Sequence, residues 1–178
     1  FTVLLVPGAE LLGGLQHRVV NAPVAVGIGA TLRIPVSCLE RGRWQSAGRD
    51  YEFSSKGRSV PLTLRHGLYK RSSESLLSKR DRRSDQGEVW REVEREARRT
   101  QVNSRTDALA DVLDARDRRR GTPEPWPSVP NQVGVFATSG GSAILEVFSA
   151  FAGFEQQGRA SLDALVDAAD AEHPPSAD

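Results

Sequence analysis

The chain changes period along its length. Val24, Val26 and Ile28 alternate with Ala25, Gly27 and Gly29, and Leu32, Ile34, Val36 and Cys38 alternate with Arg33, Pro35 and Ser37. Alternate side chains of a strand share a face, so both runs predict half-buried strands, with Leu32, Ile34, Val36, Cys38 and Glu40 on the core side. A three-residue loop, Gly29-Ala30-Thr31, sets Ile28 against Leu32, Val26 against Ile34 and Val24 against Val36. A two-residue turn would oppose the same aliphatics to Thr31, Arg33 and Pro35, and a one-residue slip turns every side chain over, so the longer loop is expected. Continued past Pro23, that register brings Val20 near Glu40, with Gln16, His17 and Arg18 close behind.

Residues 1–6 read as a strand ended by the turn signal Pro7-Gly8, residues 9–20 as a turn followed by a strand, and residues 51–53 as one more short strand. Residues 60–70 are expected to be extended and 79–83 to form a mobile basic loop. From residue 85 the period is helical: Asp85 caps, Glu88 returns the bond, and Val89, Trp90, Val93 and Ala97 form the apolar stripe. Glu92 with Arg95 and Glu94 with Arg98 lace its outer side. A second helix is expected from Thr106, with Leu109, Val112 and Leu113 inward, Ser104 or Thr106 as cap, and the basic run 116–120 at its end. Four prolines in 121–131 predict a stiff connector carrying Trp126, which either tucks against a neighbour or binds one. Residues 132–138 and 143–148 predict a hairpin. A last helix over 161–172 turns Leu162, Leu165, Val166 and Ala169 inward, ahead of a disordered tail at 174–178. The whole predicts an α+β fold: a mainly antiparallel sheet from the N-terminal half and the late hairpin, packed by two central helices and a C-terminal helix.

A chain of 178 residues suits one domain, here 1–173, with a real core. No apolar run approaches the ~20 residues of a membrane helix, so no membrane partner is expected. The single cysteine, Cys38, rules out an intrachain disulfide and agrees with a reducing, cytoplasmic setting. The absence of methionine and a start inside a strand point to missing N-terminal strands. The net charge of +1 hides an uneven distribution: residues 1–60 carry 7 basic and 4 acidic groups, 61–120 carry 16 and 11, and 121–178 carry 1 and 8. The basic middle and acidic end either attract each other or serve separate partners. Neither a Gly-x-x-x-x-Gly-Lys-Ser/Thr nor a Gly-x-Gly-x-x-Gly phosphate loop occurs.

The chemistry-bearing residues admit paired readings. Cys38 is either a nucleophile, with His17 or His66 as base and Glu40 as orienter, or a small buried apolar residue. Glu10, Glu40, His17 and His66 are of metal-binding type, yet no His-x-x-x-His or Cys-x-x-Cys spacing accompanies them, and neither metal nor cofactor is expected. Glu10, Gln16, Arg18, Glu40, Arg43 and Trp44 form either a pocket, with arginines on phosphate, tryptophan on a base and a carboxylate on ribose hydroxyls, or an ion-pair network that holds a loop. Gln86 and Trp90 face this region from the helix, packing against it or contacting a ligand. The arginine clusters at 79–83, 95–99 and 116–120 follow a nucleic-acid backbone or form solvated helix faces.

Glu10, the run Gly14-Leu15-Gln16-His17-Arg18, the run from Ile34 to Trp44, and Gln86-Gly87-Glu88-Val89-Trp90 resemble the first type of the ADP-ribosylglycohydrolase and rhodanese-phosphatase-superfamily-associated protein domains. The likeness runs the whole chain. Its specific part is Cys38-x-Glu40-x-x-Arg43-Trp44; Gln16-x-Arg18 is weaker. Members usually have further strands before the Glu10 region and an asparagine where this chain has His17. The resemblance implies, by context, a part in NAD or ADP-ribose metabolism, and it brings no reaction with it. The expected function is therefore binding or processing of an ADP-ribose-like or other phosphorylated ligand. Gln16, Arg18, Arg43, Trp44, Gln86 and Trp90 are the binding candidates, and Glu10, Cys38 and Glu40 the catalytic ones. The alternative is a non-catalytic interaction module that binds RNA through the basic middle. Whether the domain is an enzyme, and its oligomeric state, stay open.

Overall fold

A computed structural model describes residues 2–43, 52–79, 84–121, 126–139 and 141–172. The fold is α+β, as the sequence predicts. Strands β1 (Val3–Leu5), β2 (Glu10–Gly13), β3 (Arg18–Val20), β4 (Val24–Val26), β5 (Val36–Cys38) and β6 (Phe53–Ser54) come first, then helices α1 (Leu62–Lys79), α2 (Gln86–Arg99) and α3 (Leu109–Arg120). The hairpin β7 (Gly134–Ser139) and β8 (Ser142–Val147) and the long helix α4 (Phe151–Glu172) complete the described chain. The strands form three antiparallel sheets: β5-β3-β2-β6, β1-β4 and β7-β8.

The register expected around residue 30 is not formed. β4 pairs with β1, Val24 opposite Leu5, while β5 pairs with β3, Val20 opposite Val36 and Arg18 opposite Cys38. Ile28 and Leu32 are exposed. Pro35 has no N–H to give a ladder, so strand pairing starts only after it and the alternation cannot be carried through from Leu32. The inward face is consequently the opposite one: Ser37 and Leu39 are buried, Val36 is exposed and Cys38 is half-buried. Residues 9–20 make a strand, a turn and a strand, with Glu10 opposite Val19. Gly13 closes this hairpin onto β6 at a φ of 125°, where a Cβ would collide with the Glu52 carbonyl oxygen.

Residues 62–70, expected to be extended, belong to α1. Leu64 and Leu68 enter one core with Val19, Leu39, Val60, Val89, Leu109 and Leu113, whereas Leu62 enters a second with Ile144, Leu162 and Leu165. A helix that buries two faces shows no single 3.6-residue stripe, which is why the pattern misleads. Helix α2 starts as predicted, with the Asp85 carboxylate accepting from the Glu88 amide at 3.1 Å, although the Glu88 side chain turns to Arg91. For α3 the cap is Ala108, not Ser104 or Thr106; the Ser104 hydroxyl instead accepts from the Ala108 amide at 2.8 Å. The late hairpin forms its own sheet on α4, which begins ten residues earlier than expected, at Phe151. Trp126 donates its indole N–H to Asp163 at 3.1 Å. The expected basic loop at 80–83, Tyr51, and the tail at 174–178 lie outside the described residues. Among those described, no helix is long and apolar enough to cross a membrane.

Truncating Leu64, which has no exposed surface, is expected to cost about 2–5 kcal/mol. Truncating Leu77, 86% exposed on the same helix, should cost less than about 0.5 kcal/mol. Urea unfolding of Leu64→Ala and Leu77→Ala checks the assignment of 62–70 to a two-faced helix. Equal effects would refute it.

Candidate functional site

The pairing of β2, β3 and β5 sorts the polar residues into two rows. Glu10, Val19 and Ser37 lie across from one another and are all buried; Leu11, Arg18 and Cys38 form the neighbouring, half-buried row. Glu10 is fully buried, and a carboxylate so placed must be compensated. Arg58, from the strap between β6 and α1, does this: its Nε and Nη2 donate to Glu10 Oε2 at 2.9 and 2.7 Å. Its Nη1 donates to Asp114 and Asp117 of α3. Burial works against the Arg58 charge, but Glu10 and the two aspartates outweigh it and raise the guanidinium pKa. Burial likewise opposes ionisation of Asp114, and Lys56 and Arg58 outweigh it and hold that carboxyl below its ordinary value.

Glu40, 3% exposed, is the second buried carboxylate. Its Oε1 accepts from the Thr106 hydroxyl at 2.8 Å; its Oε2 accepts from Arg43 Nε at 2.9 Å and from the His17 amide at 3.4 Å. Backbone bonds frame it: Leu39 N–H donates to His17, Leu109 N–H to Leu39 and Gly42 N–H to Thr106. One carboxylate thus joins the end of β5, the approach to β3 and the loop before α3. The His17 imidazole lies 4.0 Å from Glu40. Burial lowers its pKa below the ordinary 6.5, against the pull of Glu40 and Glu10.

The side-chain amide of Gln86, the first residue of α2, pairs with the Cys38 backbone as a strand would, accepting from its N–H at 2.8 Å and donating to its carbonyl at 2.9 Å. Gln86 therefore fixes α2 against β5, and its amide is committed. Arg18 turns to the Gln16 carbonyl oxygen and the Cys38 thiol, so it meets Cys38 and not Glu40. The Arg41 guanidinium stands 5.6 Å from the Trp90 ring, and both line a cavity of about 240 Å³ with Arg91, Glu94 and Asp107. His66 is exposed on α1, and Trp44 lies outside the described residues. Among those described, no three His, Cys, Asp or Glu side chains converge to hold a metal ion.

The fold thus gathers His17, Glu40 and Arg43 at one node and Gln16, Arg18 and Cys38 at the next, with Glu10 near enough to act on the His17 charge. Arg58 and Thr106 were not foreseen. Arg58 sits in a polar run without periodicity, and Thr106 reads as a helix cap. Four buried polar atoms here have no hydrogen-bond partner: Glu10 Oε1, Gln16 Nε2, His17 Nδ1 and Arg43 Nη2.

The model of the ARG and Rhodanese-Phosphatase-superfamily-associated Protein domain (ARPP-1) matches residues 2–178, and the chain belongs to that family. No curated protein and no solved structure matches it.

Since the His17 pKa is lowered in the native state, the unfolded chain binds the extra proton first as pH falls below about 6.5. The stability that neutral His17 contributes is complete above 6.5 and is lost as pH drops from there toward the lowered native value. Urea midpoints measured from pH 8 to 5 should fall less steeply for His17→Asn than for the parent chain. Parallel profiles would show that the imidazole is not held neutral.

Proposed function

We propose that the domain binds a small phosphorylated ligand of the ADP-ribose type at the Glu10, Gln16, His17, Glu40, Arg43 network. The supporting observation is the set of four buried polar atoms without partners. Leaving a buried donor or acceptor unmade costs about 1–3 kcal/mol, so four such atoms on and beside β2, β3 and β5 are held for something that completes them. They comprise a carboxylate oxygen, an amide N–H, a guanidinium N–H and an imidazole nitrogen, the complement of ribose hydroxyls and phosphate oxygens. Arg43 and His17, with side chains 20% and 22% exposed, form the approach. Arg43 and Arg18 suit phosphate through paired N–H donors, and the carboxylates suit hydroxyls. Trp90, under Arg41, offers a face for a planar ring. The family's association with ADP-ribosylglycohydrolase and phosphatase superfamilies agrees with this class of ligand.

The RNA-binding alternative draws less support. Arg95, Arg98 and Arg99 of α2 are each paired with a glutamate of the same helix, which leaves little unbalanced charge for a phosphate backbone.

Thermal-shift measurements with ADP-ribose, NAD and mononucleotides test the proposal. A ligand at a hundred times its Kd adds about 2.7 kcal/mol, a rise of several degrees in a domain of this size. Arg43→Ala should abolish the rise for the ligand that gives it. A shift that survives Arg43→Ala, or none with any of the three classes, refutes the assignment.

A further inference from the structure

We infer that the cavity between α2 and the loops at 40–43 and 104–108 takes the base of the ligand and that Asp107 makes it specific for adenine, a role that rests on the proposed binding of a phosphorylated ligand at the Glu40–Arg43 node. The cavity, about 240 Å³, is smaller than the ~300–1,000 Å³ pockets that enclose a whole ligand, so it suits one part of a ligand. Its charged lining groups are Arg41 and Arg91 against Glu94 and Asp107, so the signs balance and the cavity favours a neutral group over a phosphate. Arg91 is held by Glu88, and Glu94 by Arg98. Arg41 and Asp107 form no ion pair among the described residues: Arg41 lies over the Trp90 ring, and the Asp107 carboxylate is unclaimed. The Trp90 indole N–H is buried without a hydrogen-bond partner, which adds an unmet donor at the ring edge.

Position ties the cavity to the node. Gly42 N–H donates to the Thr106 carbonyl at 2.8 Å and the Thr106 hydroxyl donates to Glu40 at 2.8 Å, so Arg41 and Asp107 are the chain neighbours of residues that build the node. Asp107 is fixed there at a φ of 51°, a left-handed conformation that Asp and Asn tolerate, and Ala108 beside it gives its N–H to the Ser104 hydroxyl. A base stacks on Trp90, and Arg41, exposed on its loop, lifts to cover the other face of the ring. Stacking accepts every base, since each has a π-face, so the choice falls to groups at the ring edge. A carboxylate such as that of Asp107 only accepts hydrogen bonds. Adenine gives it an N–H of the exocyclic amine; hypoxanthine, of the same outline, sets a carbonyl oxygen against it.

Calorimetric titration of the parent chain with ADP-ribose and with its inosine counterpart, in which hypoxanthine replaces adenine, tests the assignment without any variant. ADP-ribose should bind about tenfold more tightly, the difference expected of one hydrogen bond to a charged group. Asp107→Asn, at an exposed position and compatible with the positive φ, should leave the urea midpoint in place. It should bring the two ligands within about threefold of each other, because an amide serves an amine or a carbonyl alike. Equal binding of the two ligands by the parent chain, a preference that survives Asp107→Asn, or GDP binding more tightly than ADP overturns the adenine assignment. If the two ligands bind equally and Arg43→Ala abolishes both, the proposed function stands and the adenine assignment falls. If ADP-ribose is preferred through Asp107 yet binds Arg43→Ala as well as the parent chain, the base site stands and the phosphate assignment falls. Binding of neither ligand overturns both.

Discussion

A carboxylate taken out of water has to be met by a cation and by hydrogen-bond donors, and the β2-β3-β5 region takes out two. Glu10 has no exposed surface and Glu40 has 3%. Each is answered from a distant part of the chain: Arg58, 48 residues on, holds Glu10, and Thr106, 66 residues beyond Glu40, closes the other node. The β2-β3-β5 pairing places both carboxylates, and their partners then draw the strap before α1 and the loop before α3 onto the sheet. Buried pairs of this kind add little net stability, since desolvation cancels much of the attraction. Their effect is to make one arrangement of these elements far better than its neighbours.

What the sequence revealed depends on how many faces each element buries. Helix α2 buries one stripe through Val89 and Val93 and begins at a clear cap, so its start and inward face could be read directly. The β7-β8 hairpin alternates cleanly, with Ile144 inward and Leu145 outward. Helix α1 serves two cores and reads as neither helix nor strand. Around Pro35 the apolar alternation continues in the sequence while strand pairing does not, and the inferred register failed for that reason. The site was legible in the same measure. The run from Cys38 to Arg43 announced itself as a cluster of thiol, carboxylate and guanidinium, and the structure gives each of them a partner. The partners contributed from elsewhere, above all Arg58 and Thr106, follow from tertiary pairing and leave no local pattern.

The uneven charge along the chain has a structural outlet. Arginines of the basic middle reach acids of the last third: Arg65 pairs with Glu146, Arg116 with Asp167, and Arg120 with Asp163 and Asp167. The two oppositely charged segments therefore serve each other and tie α1 to β8 and α3 to α4. This internal use of the arginines favours recognition of small anions at defined points over coverage of a long polyanion. At Glu10 one carboxylate oxygen is held by Arg58 and the other lacks a partner.

A double-mutant cycle on Glu10 and Arg58 tests the central claim most directly. With Glu10→Leu, Arg58→Met and the double variant unfolded in urea, each single change should cost about 3–5 kcal/mol, because it strands a buried charge. Arg58→Met should be the worse of the two, since Asp114 and Asp117 still serve Arg58 when Glu10 is gone. The double variant should cost well below the sum, with a coupling of about 2–3 kcal/mol. Costs that add to within about 0.5 kcal/mol would show that the pair does not act as a unit, and would contradict the account of how this sheet, strap and helix are held together.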